Sequence, residues 1–175
     1  KMAAAILLGA GGARLLEYLD WQPEVYHLNE SHALPLAFFL YNKFKSLEEL
    51  KKRLVFTNHT PEEGGNPKTN ILQLEKMGFF CNVPVTEVRS VAQSDGELLD
   101  HTLTALRLSG ISNGVSKLHL QTLLKIWSKY KNISPLISIT NAQNFTYWAD
   151  NEMYNALKTK DEEALRNRKF ACKEH

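Results

Sequence analysis

A chain of 175 residues, 43% of them hydrophobic, is long enough to bury one sizeable core and is expected to form a single domain. Its 21 basic and 19 acidic residues leave a formal net charge of +2, which argues against a broad electrostatic footprint for nucleic acid. Uncharged runs such as residues 31–42 stop well short of the ~20 apolar residues a membrane span needs, and two cysteines, Cys81 and Cys172, make neither a disulfide framework nor a metal spacing, which predicts a reducing, cytoplasmic setting.

The first element, residues 6–19, reads ILLGAGGARLLEYL. Gly9 and Gly11 match the start of a G-x-G-x-x-G dinucleotide fingerprint, but the third glycine position holds Arg14 and no strand precedes the loop. Only Glu30, about twenty residues on and after an apolar strand, fits that pattern as a ribose-binding acid. Leu8, Gly12, Leu15, Leu16 and Leu19 fall at helical spacing, so a helix with an apolar stripe is expected. Lys1 and the small apolar residues after it resemble a secretory leader, but the stripe runs on into Glu17 and Tyr18, which argues against cleavage. A chain that begins on Lys rather than Met reads as a piece of something longer.

The sequence EVYHL, residues 24–28, then predicts a short buried strand. Ser31 is placed to cap the next helix, Pro35 is tolerated in its first turn, and Leu36, Phe39 and Leu40 point to a core. Ser46 and Glu49 form a capping-box signature. RLVFTNH, residues 53–59, is a second strand ended by Thr60 and Pro61, and PEEGGNPK a polar loop. Residues 71–77 predict a short helix stopped by Gly78, and the weak periodicity of residues 82–96 predicts loop with one edge strand. Residues 98–108 read as helix, 111–115 as strand, and 117–129 as an amphipathic helix with Leu120, Leu123, Leu124 and Trp127 inward. LISIT, residues 136–140, makes a fourth strand, and the chain from residue 150 is helical and charged. This alternation predicts an α/β fold: a Rossmann-like, mainly parallel sheet with helices on both faces, in a single partial domain over residues 1–175.

Open α/β sheets bind ligands outside the carboxyl ends of their strands. The first strand runs into Asn29, Glu30, Ser31 and His32, the second into Asn58, His59 and Thr60, and the fourth into Asn141, Gln143 and Asn144, with Tyr147 and Trp148 close behind. HLNESH approaches a H-x-x-E-H zinc pattern, but one residue too many separates His27 from His32, so no metal site is expected. Neutral amides, histidines, one carboxylate and nearby aromatic rings suit a sugar, whose hydroxyls donate and accept and whose ring faces are apolar. Each residue taken singly has a structural explanation; their joint position at successive strand ends makes the case for a carbohydrate site.

At these residues the sequence resembles the α-glucan phosphorylases, the glycogen, starch and maltodextrin phosphorylases. The resemblance rests on VYHLNESHA, VFTNHTPEE, LSGISNGVSKLH and SITNAQNFTYW in order, together with the opening LLGAGGARLLEYL, which in that comparison is a helix. It implies one part of the first lobe of a two-lobed, GT-B type glycosyltransferase that cleaves α-1,4-glucan with inorganic phosphate, releasing glucose 1-phosphate with retained configuration. It also implies pyridoxal phosphate as cofactor, held by a lysine in a second lobe that nothing in this chain resembles. Carried over by position, His59 matches a catalytic histidine whose carbonyl and imidazole contact the reacting glucosyl unit, Asn141 an asparagine that binds sugar hydroxyls, and Glu30 and His32 the acid and histidine of a segment near the active site. Ala142 stands where the family pattern has glycine and Ala33 where proline is common. The chain alone is then expected to be inactive and to self-associate as a homo-oligomer through exposed lobe surface. Three other readings stay open: a lobe of a sugar-nucleotide-dependent glucan synthase, a NAD-binding Rossmann oxidoreductase domain, and a non-enzymatic sugar-binding module.

Overall fold

The computed structural model describes residues 1–60 and 62–173, and the chain divides into two compact units, Lys1–Thr140 and Asn141–His175. No composition shift marks that division in the sequence.

The first unit opens with one unbroken helical run: α1 (Met2–Ile6), a π-helical turn (Leu7–Gly11) and α2 (Gly12–Tyr18). Gly9 and Gly11 therefore lie within a helix, as the spacing predicts, and not in a strand-to-helix phosphate loop. The apolar stripe is nonetheless not the buried face. Leu8, Leu15 and Leu19 are more than half exposed, while Gly9, Ala10 and Ala13 are buried. The reason is proximity. A Cβ on Gly9 would lie 2.8 Å from both the Ala33 carbonyl oxygen and the Leu36 nitrogen, so the helix rests its smallest residues on the start of the next one.

After β1 (Tyr26–Asn29) a 3-10 turn (Ser31–Ala33) leads into α3 (Pro35–Phe44), with Pro35 in the first turn. Ser31 is buried and makes no capping bond to that helix. α4 (Leu47–Arg53) is capped by Ser46, whose Oγ accepts from the Glu49 N–H at 3.2 Å. The reciprocal arm of the capping box is absent, because the Glu49 carboxylate accepts from Lys52 Nζ at 2.8 Å instead. β2 (Leu54–Asn58) follows, and β3 (Lys68–Asn70) pairs antiparallel with β4 (Leu98–Asp100). Between them run α5 (Ile71–Lys76), capped by Asn70 and closed by Gly78 at φ 75°, and α6 (Val85–Ala92).

Two expectations need correcting. The segment 82–96 holds a helix and no edge strand: Val88, Val91 and Ala92 form its buried face, and Pro84, whose fixed φ suits a helix start, precedes it. The helix expected over 98–108 is shorter, α7 (His101–Leu108), because Asp100 caps it by accepting from the Leu103 N–H at 2.9 Å, and the three residues before it are strand.

β5 (Ile111–Gly114), α8 (Lys117–Trp127) and β6 (Leu136–Ser138) complete the unit. Ser116 caps α8, whose buried row is His119, Leu123 and Trp127; Leu124, expected inward, is 43% exposed. The main sheet has strand order β1-β2-β5-β6, every pair parallel. Its register sets Leu28, Phe56, Ser112 and Leu136 in one row and Asn29, Thr57, Asn113 and Ile137 in the next. Leu28, Leu54 and Phe56 are fully buried with Phe38, Leu50 and Trp127, each such side chain contributing roughly 1.5–3 kcal/mol. The architecture is thus α/β and Rossmann-like, with a mainly parallel sheet.

The second unit contains α9 (Phe145–Trp148) and a helical hairpin of α10 (Asn151–Thr159) and α11 (Glu162–Ala171), turned by Lys160 at φ 57° and restarted by Asp161 as cap. Asp150 caps α10 and also accepts from Arg168 Nη2 at 2.7 Å. Among the described residues no helix is long and apolar enough to cross a membrane.

Candidate functional site

The carboxyl ends of β1, β2 and β5 lie side by side, and what leaves each of them determines the site. Glu30 follows β1 directly; its N–H still donates to the Thr57 carbonyl at 2.9 Å, continuing the ladder. Its backbone then stands at φ 61°, ψ 175°, a region almost reserved for glycine that costs about 1–3 kcal/mol in any other residue. From there its carboxylate reaches the tip of β2, where Oε1 accepts from the His59 N–H and, at 3.2 Å, from the Thr60 hydroxyl. Such charge-assisted bonds are stronger than neutral ones. They clamp the turn after β2 and leave the His59 side chain exposed.

Below the tip a second polar row ties three strands together. Thr57 Oγ1 donates to Asn113 Oδ1 at 2.7 Å and lies 2.7 Å from His27 Nε2. A hydroxyl has one proton to give, so His27 is the donor in that pair. Next along β2, Asn58 is 1% exposed, and neither atom of its amide has a protein partner.

From the third strand comes His119. Gly114, opposite Asn58 in the register, has no Cβ, and one built there would lie 3.4 Å from His119 Cγ and Nδ1 and 2.9 Å from Leu123 Cδ1. The imidazole therefore sits against the strand end, 8% exposed. Val115 N–H donates to Nδ1 at 3.3 Å, which leaves the proton of the neutral ring on Nε2. That atom is buried and makes no hydrogen bond of normal geometry, although the Thr60 carbonyl is close enough to affect the ring. Burial pushes the proton affinity of His119 down and His59 adds to this, while the Thr60 carbonyl and the Glu30 charge act the other way; the net direction is downward.

Glu30 and His59, both expected at the site, are in direct contact. His32 lies in the turn that follows Glu30 and is exposed. Asn141, also exposed, opens the second unit. His119 is a residue the strand-tip reading misses, although Ser116 as a cap three residues before it and Gly114 just upstream are visible signals. No group of three or more His, Cys, Asp or Glu able to hold a metal occurs among the described residues.

Comparison with known proteins gives this geometry a context. No protein-family model matches the chain. It is 37% identical over 173 residues to an uncharacterized protein of Methanocaldococcus jannaschii, an alignment covering 99% of this chain and 32% of that one. It is 34% identical to maltodextrin phosphorylase of Thermococcus litoralis (87% of this chain, 20% of the other) and 29% identical to glycogen phosphorylase of Aquifex aeolicus (85% and 24%). The chain thus spans a third or less of the length of these relatives. Among solved structures it is similar to the catalytic domain of starch synthase IV from Arabidopsis thaliana bound to ADP and acarbose, with a TM-score of 0.57 and 19% identity over 82% of this chain and 30% of that one. The chain therefore shares its fold with part of that catalytic domain, and the named relatives include two glucan phosphorylases.

Proposed function

We propose that this chain is part of the glucan-binding lobe of an α-glucan phosphorylase, a retaining glycosyltransferase that releases glucose 1-phosphate from maltodextrin or glycogen with inorganic phosphate. The observation that carries the reading is the Glu30 clamp on the His59 N–H, which uses a costly backbone conformation to fix an exposed histidine at a strand end. In this reading the His59 carbonyl dipole faces the positive charge that develops at the anomeric carbon, an electrostatic role that requires a fixed backbone. His32 supplies a contact to sugar hydroxyls, and Asn141, in the second unit, is assigned by itself as a glucan contact.

Pyridoxal phosphate belongs to the proposed reaction, but the residues of this chain do not form its cradle. No lysine among the described residues is buried, Lys117, Lys125 and Lys129 being exposed, and the buried Arg107 donates instead to the Ala92 and Gln93 carbonyls. The cofactor would be held elsewhere in the whole protein. Homo-oligomerisation is part of the same reading, supported by the exposed Leu8, Leu15, Tyr18, Leu19 and Trp21, and is read by sedimentation.

The test is direct. The protein that carries this chain should release glucose 1-phosphate from maltoheptaose and phosphate, and His59→Ala, which keeps the carbonyl but removes the imidazole contact to the glucosyl unit, should lower turnover by about 10-fold or more without a matching loss of fold. A second reading, a sugar-nucleotide-dependent glucan synthase, draws on the starch synthase neighbour bound to ADP. Glucosyl transfer from ADP-glucose with no phosphorolysis would favour it. The nicotinamide reading has lost its phosphate loop to the opening helix.

A further inference from the structure

The strand ends carry an inference furthest. Glu30 holds the His59–Thr60 turn from one side, through the His59 N–H and the Thr60 hydroxyl. On the other side stands an imidazole more than nine-tenths buried, seated in the space left by Gly114 and beside the Thr60 carbonyl. Nδ1 of this ring accepts from the Val115 N–H, leaving Nε2–H as a buried donor with no hydrogen bond of normal geometry. Leaving such a donor unpaired costs about 1–3 kcal/mol.

We infer that His119 is a positioning residue: its Nε2–H holds the Thr60 carbonyl side of the turn while Glu30 holds the other, and together they fix the direction of the His59 carbonyl between them. This rests on the glucan reading given above. Catalytic hydrogen bonds are commonly long in a free enzyme and tighten in the reacting complex, so the Nε2–H contact closes as the turn settles on a bound sugar. His119 touches no substrate itself. Its effect passes through the His59–Thr60 backbone, and a misplacement there of about 1 Å is worth on the order of 10² in rate.

Two isosteric variants separate this from a purely structural part. In His119→Asn the side-chain oxygen can still accept from Val115 N–H, but the Nε2–H donor is gone. In His119→Gln the amide nitrogen reaches about where Nε2 stands. The whole protein is assayed for phosphorolysis of maltoheptaose, for its urea midpoint, and for the His59 ring resonances by NMR. The expected result is that His119→Asn keeps the midpoint and KM but loses kcat by about 10- to 100-fold, with the His59 resonances displaced. His119→Gln returns both toward wild type. Equal behaviour of the two variants, a better-performing Asn variant, or a rate loss that follows the urea midpoint would overturn the inference. A wild-type protein that releases no glucose 1-phosphate would defeat the functional reading instead; the positioning claim would still be decided by whether the His59 resonances shift in the Asn variant and return in the Gln variant.

Discussion

Replacing Glu30 by Gly and by Ala tests the claim that its backbone is strained. Both substitutions remove the carboxylate that accepts from the His59 N–H and the Thr60 hydroxyl, and hydrogen bonds to a charged group contribute about 1.5–3 kcal/mol when well shielded. That loss is common to the two variants and cancels in their comparison. What differs is the conformation at φ 61°, ψ 175°, which Ala must still adopt at a cost of about 1–3 kcal/mol and Gly adopts freely. Against this, Gly has the more flexible unfolded chain, which makes Ala better by about 0.4–1 kcal/mol at ordinary positions. The difference leaves Glu30→Gly more stable than Glu30→Ala by about 0.5–2 kcal/mol. Urea unfolding with linear extrapolation measures it, the slope being equal for the two variants. If Ala proves equal to or more stable than Gly, the backbone is not strained and the clamp argument loses its premise.

Gly9 and Gly12 should respond oppositely to Ala: Gly12 has nothing within 4 Å of an added Cβ and should gain about 0.5–1 kcal/mol, whereas Gly9→Ala drives a methyl into the Ala33 and Leu36 backbone and should lose about 1–3 kcal/mol, both read from urea midpoints. His101, which is 2% exposed and bonded through Nε2 to Thr69 Oγ1 at 3.1 Å, has its pKa pushed by burial from 6.5 down to about 4. The unfolded chain then binds the extra proton first, so stability is full above pH 6.5 and falls as pH drops toward 4, by about 3 kcal/mol in all; His101→Gln should flatten that slope in unfolding curves taken across the window. In the second unit the hydrogen bonds from Arg168, with help from the Met153 N–H, hold the Asp150 carboxyl well below the usual range. Asp150→Asn should loosen the hairpin of α10 and α11, seen as faster proteolysis around Lys160 than in wild type.

Much of the sheet was legible because its signals are local. EVYHL and RLVFTNH are short apolar runs bounded by Pro, Asn and Thr, and Ser46 announces a helix whose cap is present. β3 and β4 were not legible, since strands of three residues on either side of two helices owe their existence to each other. α6 was missed although Val88, Val91 and Ala92 fall at helical spacing, because no side-chain cap marks its start and it spans only eight residues. In the opening helix the period was right and the buried side wrong: hydrophobic spacing does not reveal that another backbone approaches at Gly9. The strand-end rule brought Glu30 and His59 together from residues 29 positions apart. It passed over His119, whose place depends on a side chain that Gly114 lacks.

The row from His27 through Thr57 to Asn113 crosses strands whose backbone bonds already join them, reaching diagonally from β1 to β2 and straight across from β2 to β5. It acts as a cross-tie: sliding β2 by a single residue would break both of its links at once, and sliding β1 or β5 would break one. The turns that carry Glu30 and His59 and the helix that carries His119 therefore share one footing, and a disturbance applied beneath Thr57 should be felt at all three.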